Sequence, residues 1–384
     1  MSTDVVVLGA GYAGAGAIKS LQSALGTDAQ LTWISETDYH LVLHESHRVI
    51  RDPDARTDIT IPVSEIADRS TTCIEDRVVS VDTDERTVEL ESGEPVPYDY
   101  LLVGLGSQTA FYGIPGLKDH SLTLKGLDDA LEIHEGVKSA STEATRSEPA
   151  QVVIGGAGLS GIQTAGEIAE FRDEHRAPIE IHLVEALDEI FPGNDPAIQR
   201  RLRALLEEAG VRIHTDDPIT EAEADQIRFD EGDPLEYDVL IWTGGITGQD
   251  ALEAANLENQ HNRVEAESNF QTSDERVFAI GDSAIVDQGD QPAPPTAQAA
   301  WQAAELVGEN ISRAIEGRPL KTWEYDDKGT VVSVGEKAVA HDVKMLPFDT
   351  FGGFPAQKLK KMIAARWIAD LTSWNRARKS WSSL

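Results

Sequence analysis

Cysteine, basic residues and long apolar runs are all scarce in this chain, and each shortage closes off a class of function. Cys73 is its sole thiol, so it forms no disulfide within itself, and chemistry that passes electrons through a cysteine pair is excluded. Nothing in Thr71-Thr72-Cys73-Ile74-Glu75 would lower the thiol pKa, and the sequence predicts a buried or neutral cysteine. The 33 Lys and Arg against 67 Asp and Glu leave a formal net charge of −34, which repels the phosphates of nucleic acid. These acids lie within segments of regular apolar periodicity, so they read as the solvated surface of a folded, halophilic protein rather than as disorder. No run of about 18 apolar residues is present to span a bilayer, and no charged-then-apolar leader precedes the first strand at Asp4-Val5. The expected location is therefore cytoplasmic. His40, His44 and His47 form the tightest histidine group, but no second cluster completes a ligand set, and no metal is expected.

Glycine, by contrast, is plentiful and patterned. Gly9, Gly11 and Gly14 follow Val5-Val6-Val7-Leu8, and Gly156, Gly158 and Gly161 follow Val152-Val153-Ile154. In each set the glycines allow a tight turn, close approach of backbone to a pyrophosphate, and close packing of helix on strand. The helix N-terminus behind them offers free N–H groups and a positive dipole end to phosphate. A second strand-like run then ends in a carboxylate, Glu36 after the first set and Glu185 after the second, near the offset of about 20 residues at which an acid accepts hydrogen bonds from ribose. Two dinucleotide sites in one chain imply electron transfer between their contents. No arginine follows Glu185 in Ala186-Leu187-Asp188 to take a 2′-phosphate, which favours NADH over NADPH.

The pattern predicts an α/β fold of two Rossmann-like dinucleotide-binding domains with a small C-terminal region ending in an amphipathic helix. Residues 1–118 form the first part of one domain, closing on Tyr98 to Gly106; 119–261 form the other, entered through a helical link near Leu127 and a polar loop from Ser139 to Pro149. Residues 262–322 return to the first domain with a strand at Val277-Phe278-Ala279 and a helix from Ala297 to Ile315, and 323–384 make the C-terminal region. Its tail, from Ala356, has seven basic residues and one acid, with Trp367, Trp374 and Trp381 spaced by seven. That spacing predicts one apolar, Trp-bearing face beside cations, suited to the cytoplasmic membrane surface; the alternatives are docking on its own domain or on a second subunit, as in a homodimer.

Further motifs give the pattern a family likeness. Gly9-Ala10-Gly11-Tyr12-Ala13-Gly14, Tyr39-His40, Gly113-Ile114-Pro115-Gly116, Gly155 to Gly161 and Trp242-Thr243-Gly244-Gly245 resemble the single-subunit type II NADH dehydrogenases, flavin-dependent NADH:quinone oxidoreductases. Ala279-Ile280-Gly281-Asp282 resembles their flavin-binding segment, and Pro294 to Gln302 their AQxAxQ quinone motif. The resemblance implies hydride transfer from NADH to non-covalent FAD and electron transfer on to a membrane quinone, without proton pumping, at the inner face of the cell membrane. It places FAD on Gly9, Gly11, Tyr12, Ala13, Gly14, Glu36, Val79, Gly106, Gly281, Asp282, Ala297 and Gln298, and NADH on Gly156, Gly158, Leu159, Ser160, Gly161, Glu185 and Gly244. The quinone falls to Ala297, Gln298, Trp301 and Gln302, and the candidate catalytic side chains are Glu167, Gln163 and Gln298. Small alanines admit a flat ring, and Gln298 and Gln302, four apart, share a helical face from which to bond a carbonyl.

The chain departs from the family in its tail, which is shorter and more basic than many family anchors, and at three further places. Gln163 stands where many members have Glu, and an amide does not accept a proton as a carboxylate does. His44 and Glu45 stand where members are apolar or carry Pro, and Gly104-Leu105-Gly106 replaces Ala-Thr-Gly. Two other functions use the same sockets: a soluble flavin reductase or diaphorase with a protein or small-molecule acceptor, and a low-turnover redox-sensing flavoprotein. Sulfide:quinone oxidoreduction needs more cysteines near the flavin than Cys73 supplies.

Overall fold

The computed structural model describes residues 2–344, 346, 348–381 and 384. Two parallel sheets frame the molecule. In the first, Thr3–Leu8 lies between Ala29–Ser35 and Tyr100–Val103, with Thr71–Glu75 and Val277–Ala279 at the edges. In the second, Ala150–Gly155 lies between Ile179–Val184 and Val239–Trp242, and Val211–His214 closes the far edge. Val5 to Leu8 and Val152 to Ile154 are buried without alternation, because helices cover both faces of such sheets.

Val277–Ala279 pairs with Leu101 to Val103, so the chain comes back to the first sheet after building the second. The helix Ala297–Ile315 then lies along the first fingerprint helix, Tyr12–Ala24. Small residues make this close approach possible: a Cβ on Gly308 would sit 2.4 Å from the Ser20 hydroxyl oxygen. A three-stranded antiparallel sheet, Thr330–Val334, Lys337–His341 and Thr350–Gly352, packs on the second fingerprint helix, Leu159–His175. There a Cβ on Gly166 would meet the Gly335 nitrogen at 2.3 Å, so the C-terminal region seats directly on the second fold.

Three expectations are corrected. The link helix runs Leu127–Glu143, taking in the start of the predicted polar loop. Cys73 is exposed on an edge strand, although its partial burial still pushes the thiol pKa up and keeps it neutral. The tail is not one amphipathic stripe: the helix Phe354–Leu371 breaks at Thr372 and a second, Trp374–Ser380, begins. Trp367 is 1% exposed and Trp374 70%, because the break resets the face that a spacing of seven would have kept. Ala356, Lys360, Ala364, Trp367, Ile368 and Leu371 dock the long helix on the body, while Phe354 and Met362 stay exposed. The Lys358 ammonium lies over the rings of Phe354 and Trp381, at 5.2 and 5.4 Å.

Candidate active site

The two glycine fingerprints fold into near-identical cradles. Gly9 and Gly156 both have φ +92°, and a Cβ on Gly14 or Gly161 would lie 1.8 or 1.9 Å from the carbonyl oxygen of its partner, Gly9 or Gly156. Gly11 and Gly158 begin the helices with φ −71° and −74°, no side-chain cap and no acid in the first turn. A Cβ at either would meet nothing within 4 Å. Open space, free N–H groups and the positive helix end coincide twice, which fits the pyrophosphate of a dinucleotide.

Around the first cradle, Glu36 borders a groove together with Leu43, Gln108 and Lys125. Gly106 turns with φ +70°, and Gly281 packs on the first helix, where its Cβ would meet that of Ala13 at 2.9 Å. The Asp282 carboxylate accepts from the Ser107 hydroxyl at 3.2 Å, and the Lys125 ammonium donates to the same hydroxyl at 3.2 Å. Sequence reasoning missed Lys125, Ser107 and Gln108, which lie in connecting segments with no periodicity to mark them. Val79 turns its side chain to solvent, and its neighbour Val78 borders the groove. Tyr12 is buried away from the groove, stacked on Trp367 at 4.5 Å.

At the second cradle, Gly158, Glu185, Trp242 and Gly244 line one groove, with Leu159 and Ser160 exposed at the start of the helix. The Glu185 carboxylate accepts from the N–H groups of Ala157 at 2.9 Å and Leu187 at 3.1 Å, which fixes it beside the turn. The quinone motif keeps its expected helix, with its amides already engaged. Ala297 starts its helix under a Thr296 cap, and Gln298 and Gln302 do share a face, but both amides bind the backbone of 326–329. Gln302 donates to Asp326 O and Gln298 Oε1, which uses both its N–H groups, whereas Gln298 donates only to Gly329 O and keeps one free. Trp301 packs on Trp367 at 4.7 Å between their ring centres.

Gln163 and Glu167 lie together in a buried polar cluster that sequence did not reveal. Glu45 binds Lys360 at 2.8 Å and Arg48 at 2.6 Å; burial would raise its pKa, but these two cations hold it well below the usual carboxylate range. The Lys360 ammonium and the Gln163 amide nitrogen both lie 3.3 Å from His47 Nε2, and since both are donors that nitrogen is the acceptor and His47 is neutral. Burial lowers the pKa of His47 in the same sense. Ser333 joins Gln163 and His47 at 3.0 and 3.1 Å. His40 sits between Ala10 O and the Trp367 indole, and burial lowers its pKa to about 4.

Comparison with known proteins places this geometry. Residues 3–304 match the family described as pyridine nucleotide-disulphide oxidoreductase. The chain belongs to that family. Among its relatives are proteins named type II NADH:quinone oxidoreductase from Staphylococcus saprophyticus, 28% identical over 96% of this chain and 95% of the relative, and from Staphylococcus aureus, 28% identical over 95% and 94%. Of solved structures, NDH2 from Plasmodium falciparum in complex with NADH superposes with a TM-score of 0.84 at 15% identity, covering 100% of this chain and 97% of that one. The sulfide:quinone oxidoreductase of Aquifex aeolicus gives 0.80 at 20% identity, covering 98% and 92%. These two likenesses carry the fold. The disulphide in the family's description has no counterpart within this member, which holds only Cys73.

Glu167 gives this oxidoreductase a testable pH signature. It is buried, and its Oε2 approaches Arg51 Nε at 3.3 Å without a hydrogen bond, while Arg51 binds Glu336 at 2.6 Å. Burial, opposed by Arg51, Arg48 and Lys360, raises its pKa from 4.5 to about 7. A folded value above the unfolded one means stabilisation that is full below pH 4.5 and lost as pH rises through about 7. The urea midpoint is expected to fall between about pH 5 and 8 relative to that of Glu167→Gln. Parallel midpoints for the two proteins would refute the raised carboxyl.

Proposed function

We propose that this family member is a FAD-dependent NADH:quinone oxidoreductase that works at a membrane surface. The observation that carries the reading is the pair of matched cradles, both open for pyrophosphate, in a chain with no second cysteine to take the electrons. The first would hold FAD, with Glu36 at its ribose and Asp282 near its ribityl chain, and the flavin would supply two-electron chemistry there. NADH is held by the second, with Glu185 at the adenosine ribose. The protein's share is to bind, align and exclude water, so no covalent nucleophile is needed. The quinone borders Ala297, Trp301 and the free amide hydrogen of Gln298. The relatives named as type II NADH:quinone oxidoreductases, matched over nearly their whole length, support the same acceptor.

Among the described residues no helix is long and apolar enough to cross a membrane. The exposed Phe354, Met362 and Trp374, beside Lys358, Arg366 and Arg378, supply an apolar and cationic surface for peripheral contact. The pure protein is expected to be yellow, to bleach anaerobically with NADH, and to need at least about tenfold more NADPH for the same effect, since Glu185 repels a 2′-phosphate. It is expected to float with anionic liposomes and to turn over a water-insoluble quinone. A protein that stays at the bottom of the gradient and reduces only soluble acceptors is a diaphorase, a reading that the engaged amide of Gln302 keeps in play.

A further inference from the structure

The turn at the mouth of the second groove carries an aromatic side chain that the fold hardly uses. Phe111 and Ile114 pack on the buried cluster of Trp242 and Ile219, and the Ile114 N–H donates to Phe111 O at 3.0 Å, which closes a tight turn. Its two central residues are Tyr112 at φ +52° and Gly113 at φ +69°. Two positive φ values in succession make the mirror-image turn that Asn-Gly, Asp-Gly or Gly-Gly fills readily. For tyrosine the left-handed backbone is a strain, because its Cβ crowds the following carbonyl oxygen. The ring gets little packing from the protein: it is 70% exposed and rests by its hydroxyl end on Gly245, where a Cβ would lie 1.9 Å from that oxygen.

Strained residues of this kind persist where the structure around them is fixed, and they gather at sites of ligand contact. This turn is fixed at both ends. The Trp242 indole donates to Ala110 O at 2.8 Å, the Ala110 N–H donates to Gly245 O at 3.3 Å, and Ile114 is anchored in the cluster. Tyr112 is thereby held at the edge of the groove that Gly156, Gly158 and Glu185 also line. The functional reading above gives those three residues the ADP-ribose half of NADH, with pyrophosphate at the glycines and ribose at the carboxylate. We propose that Tyr112 is a binding residue for that half of the molecule and covers it with its ring. The proposal rests on that reading of the second cradle and adds a residue from outside the glycine fingerprint. Val184, Ile219 and Trp242 give the same groove an apolar lining, so a ligand there meets carbon surface from the wall and from Tyr112. Burying the exposed ring on the ligand removes apolar area of both from water, and an aromatic face against a base adds to the gain. Only two side-chain torsions carry the ring, so seating it costs little freedom.

Binding and stability of the flavin-loaded protein are expected to move in opposite directions. Tyr112→Asn gives the turn the Asn-Gly pair that it favours, so the urea midpoint is expected to rise. The same substitution removes the ring, and ADP-ribose, which carries no hydride to the flavin, is expected to bind about tenfold more weakly by calorimetry. NADH, titrated against flavin absorbance, is expected to weaken by the same factor, because the two ligands share the half that Tyr112 covers. Tyr112→Phe keeps the ring and is expected to hold ADP-ribose within about twofold of the unaltered protein. A loss in Tyr112→Phe as large as in Tyr112→Asn overturns the proposal, and so does a lowered midpoint in Tyr112→Asn, which assigns the ring to the fold. Weakening of NADH with ADP-ribose unchanged moves the contact to the nicotinamide end and overturns it as well. Binding of neither ligand by the unaltered protein overturns the NADH reading and this proposal together, whereas firm binding of both, left intact in Tyr112→Asn, overturns this proposal alone.

Discussion

A Gly161→Val protein is expected to remain yellow and to stop bleaching with NADH. The Cβ at position 161 would lie 1.9 Å from the carbonyl oxygen of Gly156 and 2.8 Å from the Thr243 hydroxyl, so the turn must open or the helix must move off its strand. Either shift withdraws the N–H groups from the pyrophosphate. Affinity for NADH is expected to fall at least about a hundredfold, roughly 2.7 kcal/mol. The first cradle belongs to the other sheet and keeps its flavin. A titration of flavin absorbance against NADH measures the effect, and an unchanged half-saturation point would mean that the second cradle is not the NADH site. In Gly14→Val the collision is 1.8 Å, and there the colour itself should be lost.

The second large effect is on stability. Lys360→Met is expected to cost about 3–5 kcal/mol, nearer the lower figure because Arg48 still pairs with Glu45 at 2.6 Å. The loss comes from leaving a carboxylate 1% exposed without one of its two cationic partners. Adding Glu45→Leu should recover most of the loss, because an apolar pair of similar volume has no desolvation to repay. The deficit should persist in molar salt, where screening over about 3 Å erases exposed ion pairs but does not reach a buried one. Urea midpoints of the single and double variants, at low and high salt, check both statements; a single variant as stable as wild type would show that the pair is not structurally coupled.

Some features were legible in sequence because their cause is local. A glycine whose Cβ would strike a carbonyl five residues away is required by the turn itself, whatever the rest of the chain does. The strands at Val5 and Val152 and the helix Ala297–Ile315 announce themselves in the same way, by apolar runs and small-residue spacing. Other readings failed because their cause is distant. Lys360 reads as one more cation of a basic tail, yet it is buried against Glu45, 315 residues earlier. Gln298 and Gln302 read as free amides, but a backbone segment from 326 to 329 reaches them first. The tryptophan spacing presumes an unbroken helix, and the kink at Thr372 depends on how the tail docks.

The sequence by itself determined the two nucleotide cradles, their order along the chain, and the exclusion of a cysteine pair, since these follow from stereochemistry within a few residues and from composition. Only the tertiary structure decided that His44, Glu45, Gln163, Glu167 and Lys360 face one another. Contact between buried charges far apart in the chain requires three separate segments to pack, and no local preference encodes which segments will meet.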